Sequence, residues 1–182
     1  MVINTTKPRL IILSDLWGRK KSFWIEYYRS LLENEFTIKY YDCCELANLD
    51  TTEYTAEHLH WQFLNGGIEK AVENLRQLEK GEIDVLAFSI GGVVAWKACL
   101  KGLKAKSIFA LSSTRLRNEV EKPEGVIKLF YGENDESQPN NQWFQDIKIE
   151  RQIVKDEGHE FYQKLEFAKR ISKLLVIEKL KF

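Results

Sequence analysis

Three residues of the kinds that acyl transfer uses stand in this sequence, each directly after an apolar run. Ser89 follows Asp84-Val-Leu-Ala-Phe88, Asp135 follows Leu129-Phe-Tyr-Gly-Glu-Asn134, and His159 follows Val154-Lys-Asp-Glu-Gly158. A serine hydroxyl attacks a carbonyl only when a base takes its proton, and an imidazole held in one tautomer by a carboxylate is such a base. In a doubly wound sheet, reacting groups collect at the carboxyl ends of the strands, where all three of these residues are expected. Each also has a plainer reading. Ser89 could be a helix N-cap, Asp135 an exposed loop carboxylate with Glu133, Glu136 and Asp156 as rivals, and His159 an ordinary helix N-terminal residue.

A strand that turns into a helix around one residue strains that residue and crowds the positions two away, so these must be small. They are Ala87 and Gly91. The segment Ala87-Phe88-Ser89-Ile90-Gly91-Gly92 resembles the Gly-x-Ser-x-Gly nucleophile elbow of the α/β-hydrolases, with alanine in the first small position. The order Ser89, Asp135, His159 is that family's order, and the flanks resemble its Gly-x-x-Asp and Gly-His segments. Gly132 and Gly158 are expected to let the backbone turn sharply, so that the following side chains point over the serine.

The resemblance covers nearly the whole chain and implies a serine hydrolase acting on a carboxylic ester or thioester, with no metal or organic cofactor. It also implies an oxyanion hole formed by the N–H of Ile90 and one N–H from the loop after the first strand. That loop, Leu13-Ser-Asp-Leu-Trp-Gly-Arg-Lys-Lys-Ser-Phe-Trp24, resembles the His-Gly-x-Gly loop and following tryptophan of esterases. Matched through Gly18 and Trp24, it gives Trp17 as the second donor and Leu16 as the runner-up, with Asp15-Leu16 in place of the family's His-Gly pair. The same features give a weaker similarity to the pimeloyl-carrier-protein methyl esterases of biotin synthesis. An acyl carrier protein would then meet Arg19, Lys20, Lys21, Arg115 and Arg117, whose positions after two strands put them at the carboxyl edge; ordinary solvated loop charges are the plainer reading.

The elements needed to hold these residues are legible in the hydrophobic pattern. Continuous apolar centres suit buried parallel strands at Arg9 to Asp15, Val85 to Phe88, Lys106 to Ser112 and Val126 to Gly132, and further strands are expected at Phe36 to Asp42 and Ile149 to Val154. Helical spacing is expected from Phe23 to Asn34, from Ile68 to Leu78, from Val93 to Lys101 and from Phe161 to Leu175. The fold class is therefore α/β: a doubly wound, mostly parallel sheet of about six strands with helices on both faces, read as one domain over residues 1–182. Thr114 to Glu124 spans only eleven residues, which leaves no room for a helical cap. Cys43 to Asn65 has no clear period; Asp50-Thr-Thr52 suits a turn or a helix start, and Glu53 to Leu64 a short helix or an ordered loop. An Asn/Gln/Pro-rich loop is expected after Asp135.

Candidates for an acyl pocket are Trp17, Phe88, Trp143 and Phe144, with Phe161 and Tyr162 as a further wall, whereas Trp24 and Trp96 lie at core spacing. His58 and His60 have no third ligand cluster and suit a solvated helix face better than a metal site. Lysine plus arginine and aspartate plus glutamate each number 27, so no global field points to nucleic acid or an anionic membrane. The three cysteines form no metal spacing, Met1 to Pro8 carries no apolar leader core, and no run is long enough for a bilayer; a cytoplasmic protein is expected. Two other function classes remain in view. One is a non-catalytic homologue that binds an acyl ligand or a protein; the other is a nucleotide or flavin binder, which the missing Gly-x-Gly-x-x-G disfavours.

Overall fold

A computed structural model describes residues 7–181. Six strands form one sheet in the order β2-β1-β3-β4-β5-β6, every neighbouring pair parallel. They are β1 (Arg9–Leu13), β2 (Thr37–Tyr41), β3 (Ile83–Phe88), β4 (Ala105–Leu111), β5 (Val126–Gly132) and β6 (Arg151–Val154). The order steps outward from β1 in one direction and from β3 in the other, so the strand order reverses between them.

Alternation of side chains divides the core between two faces. Ile11, Leu13, Val85, Ala87, Ile108 and Ala110 point to one face, under α4 (Ile68–Leu78) and α5 (Ile90–Leu100). Leu10, Ile12, Leu86, Phe88, Phe109 and Leu111 point to the other, under α1 (Ile25–Leu32) and α7 (Leu165–Lys179). All six residues of β3 are buried, as a central strand covered on both sides requires.

The segment without a clear period is ordered by local caps. The Asp42 carboxylate accepts from the N–H groups of Cys44 and Glu45 and starts α2 (Cys43–Leu46); the Thr55 hydroxyl accepts from His58 N–H and starts α3 (Ala56–Gln62). A π turn over Phe63–Gly67, broken by Gly66 at φ 105°, joins α3 to α4. The expected loop after Asp135 contains α6 (Asn141–Ile147), begun by an Asn140 cap, with Trp143, Phe144 and Ile147 buried. Its brevity hid it, since seven residues give scarcely two turns of periodicity. The expected closing helix is two pieces, a 3-10 turn over Phe161–Gln163 and then α7. Among the described residues no helix is long and apolar enough to cross a membrane. The leader reading of Met1 to Pro8 falls mostly outside the described residues.

Candidate active site

Ser89 lies between β3 and α5 with φ 48° and ψ −114°, a conformation that non-glycine residues rarely adopt. Its strained turn is closed from below: a Cβ on Gly91 would press on the Ser14 carbonyl oxygen and on Leu13 Cβ, and one on Gly92 would press on Ser113. The helix that begins at Ile90 therefore sits against β1 and β4 with no space for larger residues. Ser89 N–H donates to the Leu111 carbonyl at 2.8 Å, which ties the bend to β4.

The imidazole of His159 bridges the other two residues. Its Nε2 is 3.1 Å from Ser89 Oγ and its Nδ1 is 2.7 Å from Asp135 Oδ2. Asp135 is buried while the imidazole is about one-third exposed, so the carboxylate faces protein and the histidine faces the cleft. The three residues singled out in the sequence are thus in hydrogen-bonding contact, in the order a nucleophile, base and orienting acid require. The rival acids are elsewhere. Glu133 Oε2 accepts from Asp156 N–H at 2.9 Å, and Glu136 is exposed.

The loops carrying the acid and the histidine are fastened to each other. Asn134 N–H donates to the Glu157 carbonyl at 2.8 Å, and Glu133 N–H to the Val154 carbonyl at 2.9 Å. Gly132 serves this packing differently from expectation: neither it nor Gly158 takes a left-handed conformation, but a Cβ on Gly132 would run into the carbonyl oxygens of Glu157 and Gly158. The left-handed turn falls on Asp156, at φ 60°. Ser112, at the end of β4, adds a fastening that the sequence reading missed. Its hydroxyl donates to the His159 carbonyl at 2.5 Å.

The loop after β1 does not leave the N–H of Trp17, the expected second oxyanion donor, free. Trp17 N–H is occupied, donating to Asp15 Oδ1 at 2.9 Å, whereas Leu16 borders the cleft at Ser89. Asp15 is buried, and Tyr162 OH donates to its other carboxylate oxygen at 3.1 Å. Burial pushes its carboxyl up from 3.8 to about 6, with the hydrogen bonds from Trp17 and Tyr162 opposing part of that rise. Cys43 and Cys44 lie beneath the same loop, their thiols against the carbonyls of Ser14 and Leu16 at 3.2 and 3.3 Å. Burial raises both thiols, that of Cys44 to about 12, which disfavours the thiolate at either position.

The cleft above Ser89 and His159 has a volume of about 200 Å³. Leu16, Ile90 and Val93 form its apolar surface, and His60, Thr114 and Arg115 form its polar wall. The expected aromatic pocket is not there. Phe88 points to the opposite face of the sheet, its ring 4.6 Å from that of Trp24 and 5.2 Å from that of Tyr162, because alternation along β3 sends it away from the helix bearing Ser89. Phe161 is buried on that same face against Phe167. Trp143 and Phe144 are the buried stripe of α6, with Trp143 Nε1 bonded to the Glu119 carbonyl at 2.8 Å. Trp17 lies beside the cleft, its ring tilted against that of Tyr54 and under the Lys21 ammonium, and borders a neighbouring hollow of about 620 Å³. Tyr162, the other expected wall, instead supports the site from behind, its ring 6.3 Å from the His159 imidazole.

His60 is exposed on its helix, as expected, and also reaches the cleft; partial burial with nearby Arg115 and Arg117 holds it below the ordinary histidine range. Its spacing from His58 sends the two to different sides of α3, which is why the pair in the sequence was uninformative. The five rim cations also separate. Arg115 enters the cleft and Arg117 is bonded to the carbonyls of Thr114 and Ser137, while Arg19 and Lys20 border the neighbouring hollow.

No protein-family model matches the sequence, and no curated protein matches it. Solved structures do match in fold. A proposed hydrolase of the alpha/beta superfamily from Xanthomonas campestris pv. campestris superposes with a TM-score of 0.65 at 17% identity, over 93% of this chain and 98% of that one. Est1E from Butyrivibrio proteoclasticus with ferulic acid bound gives 0.67 at 14% identity, over 97% and 91%. A CIB-like hydrolase assigned in Thermoplasma acidophilum gives 0.65 at 16%, over 97% and 89%. The chain has the α/β-hydrolase fold, with six strands and no helical cap after β4 among the described residues.

Proposed function

We propose that this chain of the α/β-hydrolase fold is a serine hydrolase that cleaves a carboxylic ester or thioester through an acyl-enzyme. The observation that carries the reading is the unbroken line from Ser89 Oγ through the His159 imidazole to the Asp135 carboxylate, built on a strained serine that opens to a cleft. Ser89 Oγ attacks the carbonyl carbon as His159 Nε2 takes its proton, and Asp135 stabilises the imidazolium. The negative charge that develops on the carbonyl oxygen is met by the N–H of Ile90, at the first position of α5, and by the N–H of Leu16. Collapse of the tetrahedral adduct breaks the bond to the alcohol or thiol, which leaves with the proton from His159. Water then gives a proton to Nε2 and attacks the acyl carbon, and the second collapse returns the proton to Ser89 Oγ and releases the carboxylic acid.

A carboxylic acid is what Est1E holds, and that is the product class of this reaction. The test is labelling with a fluorophosphonate, followed by turnover of short p-nitrophenyl esters and thioesters. Stoichiometric label on Ser89 together with turnover of at least one class is the expected result. Absence of both would overturn the reading in favour of a non-catalytic homologue.

A further inference from the structure

Arg115 differs in setting from the other arginines near the sheet's carboxyl edge. Arg19 faces the Glu45 carboxylate at 3.8 Å, Arg117 donates to two carbonyls, and Arg151 donates to Gln138 and Asn141. Arg115, in the 3-10 turn Thr114–Asn118 after β4, is half-buried against the cleft and has no hydrogen-bond or ion-pair partner among the described residues. Among the described residues no acidic side chain borders the cleft, since Asp135 lies behind His159 and Asp15 is covered by the β1 loop. A guanidinium that is partly out of water and lacks a counter-ion is the group that a carboxylate on a ligand pairs with most effectively, by two parallel hydrogen bonds. His60 shares this wall; burial, with Arg115 and Arg117 adding to it, favours its neutral form, which can donate or accept a hydrogen bond.

Resting on the serine hydrolase reading above, we propose that the cleft selects esters or thioesters bearing a free carboxylate a few carbons from the scissile carbonyl, and that Arg115 is the residue that recognises it. The cleft's roughly 200 Å³ equals about seven water volumes, which accommodates a chain of about four or five carbons. Monoesters of short dicarboxylic acids match that size and charge. An anionic leaving group offers the same recognition chemistry, so the two sources are separated by experiment.

Two substrate pairs read the inference. The mono-p-nitrophenyl ester of succinic acid is compared with p-nitrophenyl butyrate, and the butyrate ester of 4-hydroxybenzoic acid with the butyrate ester of its methyl ester. In the wild type, one anionic member is expected to exceed its neutral partner by about tenfold or more in kcat/KM, a preference that weakens with added salt. In Arg115→Gln the preference falls to about one, and in Arg115→Lys it is kept in part. A preference in the first pair places the carboxylate on the acyl side, and one in the second places it on the leaving group. Equal rates within both pairs, or a preference that survives Arg115→Gln, overturns the proposal. So does a salt-dependent KM for a carrier-protein-linked ester without any preference among small esters, which would mean docking of a protein carrier. Fluorophosphonate labelling run alongside reports the Ser89 machinery separately. Calorimetric titration with succinate reads the anion site even without turnover: binding by the wild type that Arg115→Gln loses supports the site, and no binding by the wild type rejects it.

Discussion

The strand ends that carry Ser89, Asp135 and His159 and the segment from Cys43 to Gly67, which brings His60 to the cleft wall, are held to very different tolerances. The strand ends are fixed by register, with Ala87 beside Ala110 and Gly132 beside Val154, and by contacts so close that Gly91, Gly92 and Gly132 accept no side chain. The wall is two short helices, each begun by one side-chain cap, and a π turn kinked at Gly66. It meets the rest of the site through a few side chains, among them His60 at the cleft and Tyr54, whose hydroxyl donates to the Trp17 carbonyl. On the proposed reaction the first region fixes the chemistry and the second, with the Arg115 turn, fixes what fits. Backbone carries the part that tolerates no error; side chains carry the part that varies.

The largest effect should come from the first region and be blind to substrate. Ser89→Ala is expected to lower kcat/KM by about 10³-fold or more for neutral and charged esters alike, with the circular dichroism spectrum and melting curve of a folded protein. Undiminished turnover would remove Ser89 from the reaction. A loss confined to one substrate would break the separation between chemistry and fit.

The next effect tests which acid belongs to that region. Asp135→Asn leaves the Nδ1 contact but favours the wrong imidazole tautomer, and roughly a 10²- to 10⁴-fold loss in kcat is expected. Asp156→Asn should stay close to the wild type, because its N–H still reaches Glu133 and asparagine accepts the left-handed backbone found there. If Asp156→Asn is the damaging change, the acid has been misassigned.

Tolerance itself is tested at Gly91. Alanine there would press on the Ser14 carbonyl and Leu13 Cβ, neither of which is the end of a flexible side chain, so β1 and the elbow must shift apart. A loss of about 1–3 kcal/mol in denaturant unfolding is expected, with a parallel drop in activity. Wild-type stability in Gly91→Ala would show that the strand ends have more slack than their contacts imply.

The same division explains what the sequence disclosed. The strands and the three contacting residues were legible because buried parallel strands leave continuous apolar runs, and polar residues at their ends stand out against them. The cleft wall was not. His60 and Arg115 belong to short elements without a full period, and neither residue type marks a pocket by itself. The aromatic candidates failed for a related reason: Phe88 and Phe161 are adjacent in sequence to the site, but side-chain alternation and the fold's second face take them away from it. Trp17 was expected to offer its N–H to the cleft, but the Asp15 carboxylate two residues earlier takes that N–H, a local contact that spacing alone does not disclose.

Asp15 lies where the two regions join, and its variant should change stability more than turnover. Its carboxylate holds Trp17 N–H on the wall side and Tyr162 OH on the side that supports His159. The carboxyl is raised to about 6, so the native state binds this proton more tightly than the unfolded chain, whose carboxyl stays near ~3.9. Above pH 6 the ionised carboxylate therefore weighs against folding, and the penalty is relieved as pH falls from about 6 towards 4. Asp15→Asn removes the charge and keeps an oxygen for Trp17 N–H. It should raise unfolding stability at pH 8 by about 1–3 kcal/mol, with the gain shrinking towards zero near pH 4. Turnover of a neutral ester should change by no more than about threefold, less than the ~10-fold that one charge-assisted contact to a reacting group is worth. A uniform loss of stability at both pH values would mean that the charged form is what holds the loop. A large fall in kcat would move Asp15 from the join into the chemistry, and with it the boundary between the two regions.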